Sequence, residues 1–436
     1  MIKVCKFGGS SLANSKQFKK IKKIVNSEED RKVIIASACG KSNKNDHKVT
    51  DLLYLCIAHK KYGMSYDSIL NEIKNKHLQI INDLKLNFDL ENEIKRIKSL
   101  LDKNGNVDEI LSFGEYLSSK LLSLYLKCDY VDAKDVICFN YDGSINFEKT
   151  KESLLKYLKT NKKVVIPGFY GSLPNGVIKI MSRGGSDITG SIIANVIDAD
   201  IYENWTDVSG IYVCDPRIIS NPKKIELITY SELREMSYMG ANVLHEEAIY
   251  PVKNKNIPIN IRNTNDYLEN GTLIVSNTDK KKTPPISGIT GKKDFLVISI
   301  AKINSSNELG FLKRILDIFD NYRIPVVLVT TAIDSFSIIL DKSKIKNDIY
   351  EVCNEIKTSL KCDEVSLYDN LSLVCVVGRG MKDKKGISGK IFSLLGENDI
   401  NIRTISQGAD EISIIVGVDD DNYEKTIKCI YERFVK

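Results

Sequence analysis

Residues 2–11 read IKVCKFGGSS, and this stretch decides how the rest of the chain is interpreted. Its first half is rich in β-branched residues, which predicts a short buried strand over residues 2–6. Gly8 and Gly9 then permit a sharp turn, and apolar residues at helical spacing follow it. Backbone N–H groups at such a junction of strand, turn and helix can bind an anion. Together with Lys6 at the strand end, they indicate a phosphate site; an ordinary tight turn is the alternative.

A second glycine-rich turn has the sequence SRGGSDITG at residues 182–190. It comes after a predicted strand at 163–167 and a predicted hairpin at 169–181, and it opens a predicted helix at 188–196. Two such turns in one α/β unit favour a single site at which a phosphate meets a carboxylate-bearing substrate.

Two more predicted strands end in small or polar residues. The strand at 32–37 runs into SACGKS, and the strand at 199–205 runs into TDVSGIY and then DPR at 215–217. Ligands of α/β sheets bind at the carboxyl ends of the strands, so both ends are candidate parts of the site. An ordinary strand–helix turn and a long surface loop are the alternatives.

Glu115 falls in the first turn of a predicted helix at 111–126, where the helix dipole favours an acid. On this pattern alone a structural role is the better interpretation of Glu115. The other predicted helices lie within 49–101 and at 151–159, 230–239 and 245–254, and the other predicted strands lie at 130–140, 257–261 and 272–276.

Composition narrows the class of protein. The 436 residues are 42% hydrophobic and 28% charged, with 63 Lys plus Arg against 57 Asp plus Glu. The charges are mixed along the chain, which argues against a nucleic-acid groove. Ten cysteines occur without any Cys-x-x-Cys pair, and the four histidines lack metal-ligand spacing. With no targeting peptide and no apolar run of membrane-spanning length, the sequence predicts a cytoplasmic protein without a membrane span.

Residues 277–287 read NTDKKKTPPIS, a charged stretch with a Pro-Pro pair that is typical of a linker between domains. We therefore predict a catalytic domain at 1–276, a linker at 277–288, and two further units at 289–369 and 370–436. Each of these units has a predicted β-α-β-β-α pattern. Small sheets of this kind often cover their edges by pairing, which predicts a homodimer or homotetramer.

Four motifs now occur in one order: KFGGSS at 6–11, SRGGSD at 182–187, WTDVSG at 205–210 with DPR after it, and GANVLH at 240–245. Together with the paired C-terminal units, they resemble the monofunctional aspartokinases (aspartate 4-phosphotransferases) of the amino-acid kinase family. The resemblance covers essentially the whole chain. It implies an α/β three-layer sandwich with a mainly parallel sheet, followed by two ferredoxin-like ACT units.

The resemblance also implies an activity, EC 2.7.2.4. Such an enzyme transfers the γ-phosphoryl group of ATP, with Mg²⁺, to the side-chain carboxylate of L-aspartate. This is the first step towards lysine, threonine and methionine, and lysine or threonine is the expected inhibitor at the ACT units. A side-chain carboxylate has a reference pKa near ~3.9 and is already an ionised nucleophile, so no general base is required.

The resemblance also implies roles for the residues of this sequence that stand at the family's motif positions. The resemblance implies catalytic roles for Lys6 and Asp187, and a substrate pocket made by Ser42, Glu115, Arg183 and Ser186. Nucleotide contacts are implied for Lys6, Gly8, Gly9, Ser10, Thr206, Asp207, Tyr212, Arg217 and Asn242. Effector contacts are implied for Ser305, Gly310, Val327 and Asp334, and no dedicated metal ligand is implied.

The sequence departs from the family at three places. The family often has threonine where Ser10 stands and lysine where Asn242 stands. Many lysine-sensitive members carry an aspartate in the strand that corresponds to 326–328, which here has no acid, although Asp334 lies just beyond it. Either Asp334 pairs with the effector or the effector differs.

Two other functions remain open at this point. Another amino-acid kinase, such as a glutamate-type kinase, would share the first glycine motif but not the SRGGSD motif or the ACT pair. A non-enzymatic amino-acid sensor would keep the ACT units, but it would not need Lys6, Glu115, Arg183 and Asp187. The sequence favours the enzyme and does not distinguish a dimer from a tetramer.

Overall fold

The structure is a computed structural model that describes residues 1–158, 163–182, 184–240, 244, 246–278, 284–346, 348–382 and 384–436. The helices of the described residues are α1 Ser15–Ser27, α2 Val49–Lys61, α3 Asp67–Leu84, α4 Leu90–Asp102, α5 Val107–Leu126, α6 Ala133–Val136, α7 Phe147–Tyr157, α8 Gly185–Val196, α9 Tyr230–Tyr238, α10 Glu246–Lys253, α11 Phe311–Asn321, α12 Ile349–Ser359, α13 Ile387–Glu397 and α14 Tyr423–Phe434. The strands are β1 Lys3–Phe7, β2 Arg31–Ala36, β3 Asp129–Tyr130, β4 Val164–Pro167, β5 Tyr170–Ser172, β6 Ile178–Ile180, β7 Ile201–Thr206, β8 Ile211–Tyr212, β9 Lys224–Ile225, β10 Leu227–Thr229, β11 Ile259–Asn263, β12 Thr272–Val275, β13 Gly288–Ala301, β14 Val326–Thr331, β15 Ser335–Asp341, β16 Glu364–Val377, β17 Thr404–Gln407 and β18 Ser413–Asp419.

The chain forms two compact units. The first contains Met1–Ile211, Lys224–Tyr230 and Asn242–Thr278, and the second contains Tyr212–Lys223, Ser231–Ala241 and Asp279–Lys436. The domain boundaries expected from the sequence remain predictions.

An eight-stranded sheet organises the first unit, in the order β10-β12-β11-β7-β1-β2-β4-β3. Its pairings are parallel, except that β11 and β12 are antiparallel. Strand β1 lies inside the sheet, with β7 on one side and β2 on the other. Because the sheet is buried on both faces, β2 and β4 are nearly continuous apolar runs in sequence, which made them predictable, whereas β1 and β7 also carry buried polar residues.

Helices cover both faces of this sheet. Side chains alternate along β1, so Cys5 and Phe7 enter a core that is shared with helices α1 to α5, whereas Lys6 faces the start of α8. Helix α10 packs against α8 on that second side. This arrangement is the expected three-layer sandwich with a mainly parallel sheet.

A buried charge cluster holds the α1 side of the central strands. Glu203 on β7 and Arg31 on β2 are each about 1% exposed, and Nε and Nη2 of Arg31 donate to the two carboxylate oxygens at 2.8 and 3.1 Å. Trp205 Nε1 donates to the same carboxylate at 2.9 Å. Burial acts to raise the pKa of Glu203, but the hydrogen bonds and charge of Arg31 outweigh it and lower that pKa.

Several sequence-based boundaries were wrong. Residues 130–140 were expected to form a strand, but β3 ends at Tyr130 and Asp132 then caps the short helix α6 through the N–H of Lys134. Helix α5 begins at Val107, since Asn106 accepts a hydrogen bond from the N–H of Asp108 and caps it.

The second unit is built on one six-stranded antiparallel sheet, in the order β14-β15-β13-β16-β18-β17. Strands β13 and β16 are each 14 residues long. The sequence placed the first of these at 295–300, but residues 288–292 extend it and pair with the second half of β16. The two ferredoxin-like repeats thus share two continuous strands.

Helix α9 lies within this second unit although it precedes the predicted linker. The Glu232 side chain, about 1% exposed, accepts hydrogen bonds from the Ser287 hydroxyl at 2.7 Å and the Arg379 N–H at 3.0 Å. Glu235 accepts one from the Ser413 hydroxyl at 2.8 Å. Such long-range polar contacts leave no periodic signal in the sequence.

Replacing Glu203 tests the buried charge cluster. Glu203→Gln leaves the Arg31 guanidinium buried without its carboxylate, so the free energy of unfolding of the first unit should fall by roughly 3–5 kcal/mol. Trp205 is the only tryptophan of the chain and touches this carboxylate, so its fluorescence during urea unfolding reports the change directly.

The matched control is Asp67→Asn, which breaks the exposed ion pair between Asp67 and Lys98. Exposed pairs contribute little, so its urea midpoint should stay at the wild-type value. Equal midpoints for Glu203→Gln and wild type would show that the cluster does not stabilise the sheet.

Candidate active site

A cavity of about 1000 Å³ lies at the carboxyl edge of the first sheet. The segments that follow β1, β2, β4 and β7 all line it, as do the first turns of α2 and α8 and one side chain of α5. This is the edge at which parallel α/β sheets bind ligands. The positions inferred from the glycine turns and strand ends are therefore brought together.

The turn after β1 is packed directly on the turn after β2. The N–H of Gly40 donates to the carbonyl of Gly9 at 2.8 Å. A Cβ on Gly40 would lie 2.4 Å from the carbonyl carbon of Gly9 and 2.7 Å from the N of Ser10. Only glycine permits this backbone approach, which fixes the N–H groups of the first turn relative to the second.

Part of the cavity wall collects positive charge from helix N-termini and lysines, while Asp51, Glu115, Asp187 and Asp207 also line the cavity. A short 3₁₀ turn at Gly9–Leu12 and helices α2 and α8 all begin at its wall. Helix N-termini carry partial positive charge and unpaired N–H groups. Lys6, Lys41 and Lys48 add full positive charges to the lining. These features suit a polyphosphate better than a neutral ligand.

Lys6 and Asp187 form an ion pair within the cavity. Lys6 Nζ lies 2.6 Å from Asp187 Oδ1, and the Lys6 residue is 7% exposed. Asp187 is placed by the first turn of α8, which begins after Gly184 in the left-handed conformation, at φ 80°. Glycine is the residue that adopts this conformation without strain, so the second glycine turn aims the carboxylate at the lysine.

Glu115 reaches the same cavity from the middle of α5. This helix begins at Val107, so Glu115 lies in its third turn. The prediction that Glu115 lies in the first turn, where the helix dipole favours an acid, was therefore wrong. The side chain is buried, and no described residue donates a hydrogen bond to its Oε2. Burial raises the pKa of Glu115 to about 8, although the N–H of Ala38 and the Ser186 hydroxyl favour ionisation. An unpaired buried carboxyl oxygen is costly unless a ligand meets it.

The other candidate residues divide into three groups. Gly8, Gly9, Ser10, Ser186, Thr206 and Asp207 line the cavity. Ser42 does not; it is exposed, and its hydroxyl donates to the carbonyl of Ala13 at 3.1 Å. Arg183 and Asn242 lie outside the described residues.

Tyr212 and Arg217 belong to the second unit. Arg217 pairs there with Asp215, with Nε 3.0 Å from both carboxylate oxygens. Their expected nucleotide contacts remain predictions.

The candidate effector residues also lie in the second unit. Ser305 is buried, and its hydroxyl has no hydrogen-bond partner among the described residues. Gly310 caps α11 with φ 72°, and Val327 lies on the edge strand β14. Asp334 accepts a weak hydrogen bond from the Ser306 hydroxyl at 3.5 Å. Ser305 and Asp334 therefore lie near one another, next to the same short helical turn.

Sequence reasoning missed several lining residues. Lys48, Thr50 and Tyr54 line the cavity from the residue before α2 and from its first turns, and no motif marks them in the sequence. Lys41 also lines it, from the SACGKS segment that was already a candidate part of the site. Asn204, which contacts Lys6 and Asp187, was also missed, although it is a polar residue inside a predicted buried strand.

The described residues offer no group of three or more His, Cys, Asp and Glu side chains arranged to hold a metal ion. Within the same residues, no helix combines the length and apolarity that crossing a membrane requires.

The chain is similar to known proteins over nearly its whole length. The amino acid kinase family matches residues 1–263, and the ACT domain matches residues 374–434. Aspartokinase 3 of Bacillus subtilis (strain 168) is 34% identical over 448 residues, which cover 99% of this chain and 98% of that protein.

Solved structures give the same result. Aspartate kinase of Clostridium acetobutylicum is 46% identical with a TM-score of 0.94, covering 99% of this chain and 100% of that one. The E. coli aspartokinase III complex with lysine and aspartate, described as the T-state, is 25% identical with a TM-score of 0.78, and each chain is covered completely.

The fold and the site thus define a carboxylate kinase with a regulatory ACT region. More narrowly, the chain belongs to the aspartokinases of the amino acid kinase family. As an aspartokinase, it is an ATP-dependent kinase that acts on aspartate and is allosterically regulated.

Gly40→Ala tests the contact between the two turns. Its Cβ would force the turn after β2 away from Gly9, so kcat/KM for aspartate phosphorylation should fall on the order of 10²-fold, as misplacement by about 1 Å can cause. Steady-state kinetics on protein with a wild-type urea midpoint measures this.

Gly389→Ala on α13 is the control, because a Cβ there meets nothing within 4 Å. It should keep wild-type kinetics. Unchanged kcat/KM in Gly40→Ala would mean that the packed turns do not position the substrates.

Proposed function

We propose that the cavity of the first unit places the γ-phosphoryl group of ATP against the side-chain carboxylate of L-aspartate, forming 4-phospho-L-aspartate. This product would enter lysine, threonine and methionine synthesis, under inhibition by one end product at the ACT units. The observation that carries the proposal is the juxtaposition of the Lys6–Asp187 ion pair with the unpaired oxygen of Glu115 in one cavity.

The nucleotide phosphates fit the side of the cavity formed by the first glycine turn. Gly8, Gly9 and Ser10 line this side, where Gly9 and Ser10 would offer backbone and hydroxyl donors and Lys6 adds a charge beside them. The N–H of Gly8 already donates to the carbonyl of Trp205 at 2.9 Å, so Gly8 would serve by allowing the phosphates to approach the backbone. Thr206 and Asp207 would contact the nucleotide from the end of β7.

The carboxylates present fit a Mg²⁺ ion carried by the nucleotide, since Asp187 and Asp207 line the same cavity and Mg²⁺ is usually bound by one or two carboxylates plus phosphates. Bound there, the ion neutralises charge on the phosphates.

Aspartate fits the deeper side of the cavity. Glu115 would pair with its ammonium group through the free Oε2, and Ser186 lies beside that carboxyl group. Arg183 would hold the α-carboxylate, because a guanidinium can donate two parallel hydrogen bonds to it.

The transfer needs positioning more than proton movement. The substrate carboxylate attacks the γ-phosphorus, the bond to the β,γ-bridging oxygen breaks, and ADP leaves with the electron pair. Lys6 stabilises the charge on the transferring group, while Asp187 keeps the ammonium in place. No proton is lost by the nucleophile, so the residues described need no general base.

The second unit supports regulation and assembly. Ser305, with a buried unpaired hydroxyl, and Asp334 would contact the effector, lysine or threonine. Strands β14 and β17 are the two edges of the six-stranded sheet, and pairing through such an edge would give a homodimer or homotetramer. All ten cysteines are free thiols, which accords with a cytoplasmic location.

Aspartate binding should depend on pH through Glu115. Its raised pKa, about 8, means that the carboxyl group is mostly protonated at pH 6.5 and must ionise to pair with the ammonium. Affinity for aspartate should therefore rise about 10-fold from pH 6.5 to 8 and then level off. Calorimetry in buffers of different ionisation enthalpy should also detect proton release on binding.

Glu115→Gln is the matched variant, since it is isosteric and cannot ionise. It should bind aspartate more weakly and lose the pH dependence and the proton release. If the variant keeps the wild-type pH profile, Glu115 does not receive the ammonium group.

The activity itself is tested by trapping the acyl phosphate with hydroxylamine, using aspartate or glutamate, each with and without lysine and threonine. We expect product with aspartate only, suppressed by one of the two amino acids. Lys6→Ala should reduce turnover roughly 10²–10³-fold, whereas Lys19→Ala, on an exposed position of α1, should not. Binding of lysine or threonine without any turnover would favour the amino-acid sensor instead.

A further inference from the structure

Asn204 is a buried amide beside the proposed catalytic pair. It lies on β7 directly opposite Lys6 in the parallel register, and the residue is 4% exposed. Both side chains point to the α8 side of the sheet, where Asp187 begins the first turn of that helix. None of the carried-over family positions includes Asn204.

The amide contacts both members of the ion pair. Asn204 Nδ2 donates to Asp187 Oδ1 at 2.8 Å, and Asn204 Oδ1 accepts a longer hydrogen bond from Lys6 Nζ at 3.4 Å. Since Lys6 Nζ is itself 2.6 Å from the same Oδ1, the three side chains close a triangle. The amide presents a donor to the carboxylate and an acceptor to the ammonium at once, which an aliphatic side chain of the same size cannot do.

A neighbouring contact shows that β7 anchors this turn of α8. Tyr202, two residues earlier and therefore on the same face, donates from its hydroxyl to the backbone carbonyl of Asp187 at 3.1 Å. Its ring lies so close to α8 that a Cβ on Gly190 would be 2.6 Å from it. Tyr202 thus holds the backbone of Asp187, and Asn204 holds its carboxylate.

The lysine side chain needs this restraint. An ammonium group on a four-carbon chain is a flexible point charge with three rotatable donors, and one ion pair does not fix its position. Stabilisation of the transferring phosphoryl group depends on placing that charge accurately. A second contact from a rigid central strand restricts both partners.

We propose that Asn204 is a positioning residue that fixes Lys6 and Asp187 relative to each other, so that it determines kcat rather than substrate affinity. This inference rests on the proposed roles of Lys6 and Asp187. It adds to them a residue that touches neither substrate and acts through the triangle.

Two variants separate this role from a merely structural one. Asn204→Leu keeps the size but removes both hydrogen bonds, so kcat should fall roughly 10–100-fold while KM for ATP and aspartate changes less than about 3-fold. Asn204→Asp keeps the size and an acceptor for Lys6 but replaces the donor to Asp187 by a second carboxylate. Its kcat should therefore also fall roughly 10–100-fold, which separates loss of the hydrogen bond to Asp187 from loss of the contact with Lys6.

The controls make each outcome decisive. Asn260→Leu changes an asparagine on the adjacent strand β11 whose Oδ1 has no hydrogen-bond partner among the described residues, and kcat should stay within about 2-fold of wild type. Folding of each variant is checked by the urea midpoint from Trp205 fluorescence. If Asn204→Leu does not fold, the kcat of Asn204→Asp decides.

Lys6→Ala is measured in the same series. If Lys6→Ala is inactive while both Asn204 variants keep wild-type kcat, only the inference about Asn204 is wrong. If Lys6→Ala itself keeps near-normal turnover, the proposed catalytic pair and the role of Asn204 are both wrong.

Discussion

The alternation of side chains along β1 and β7 is the constraint on which the site depends. In the parallel register, Cys5 lies opposite Glu203 and Lys6 lies opposite Asn204. One face therefore carries the buried carboxylate that pairs with Arg31, and the other carries the lysine that pairs with Asp187. A slip of one residue would exchange the two faces, place an unpaired charge in each core and remove the lysine from the cavity.

The two faces therefore have different roles in the same strands. On the α1 side, Glu203 receives hydrogen bonds from Arg31 and Trp205, and this buried cluster links neighbouring strands of the sheet. On the α8 side, the Lys6–Asp187 pair lies at the wall of the cavity, where we propose that it meets the substrates. The unpaired Oε2 of Glu115 reaches the same cavity from helix α5. Side chains held in this way by rigid elements are typical of a preorganised active site.

The sequence could predict the sheet of the first unit because β2 and β4 are short apolar runs and the two glycine turns are distinctive. It could not predict contacts that depend on tertiary structure. Asp132 caps α6, so β3 is shorter than the predicted strand at 130–140. Asn106 caps α5, so this helix begins before the predicted start at residue 111. Glu232 on α9 accepts a hydrogen bond from Arg379, a residue far along the chain in the second unit. Likewise, Ser42 follows a strand that contributes to the cavity, but its hydroxyl is satisfied by a backbone carbonyl. Motif position predicts Lys6, Asp187 and Glu115 as site residues, but it does not predict the residues that hold them.

The central claim is that one cavity at the carboxyl edge of the first sheet holds both substrates around Lys6, Asp187 and Glu115. A crystal structure of the protein with ADP, Mg²⁺ and aspartate tests it most directly. The account predicts the diphosphate against the turn at Gly8 and Gly9, and the aspartate ammonium within hydrogen-bond distance of Glu115 Oε2. Aspartate bound elsewhere, or in this cavity with its ammonium group away from Glu115, would contradict it.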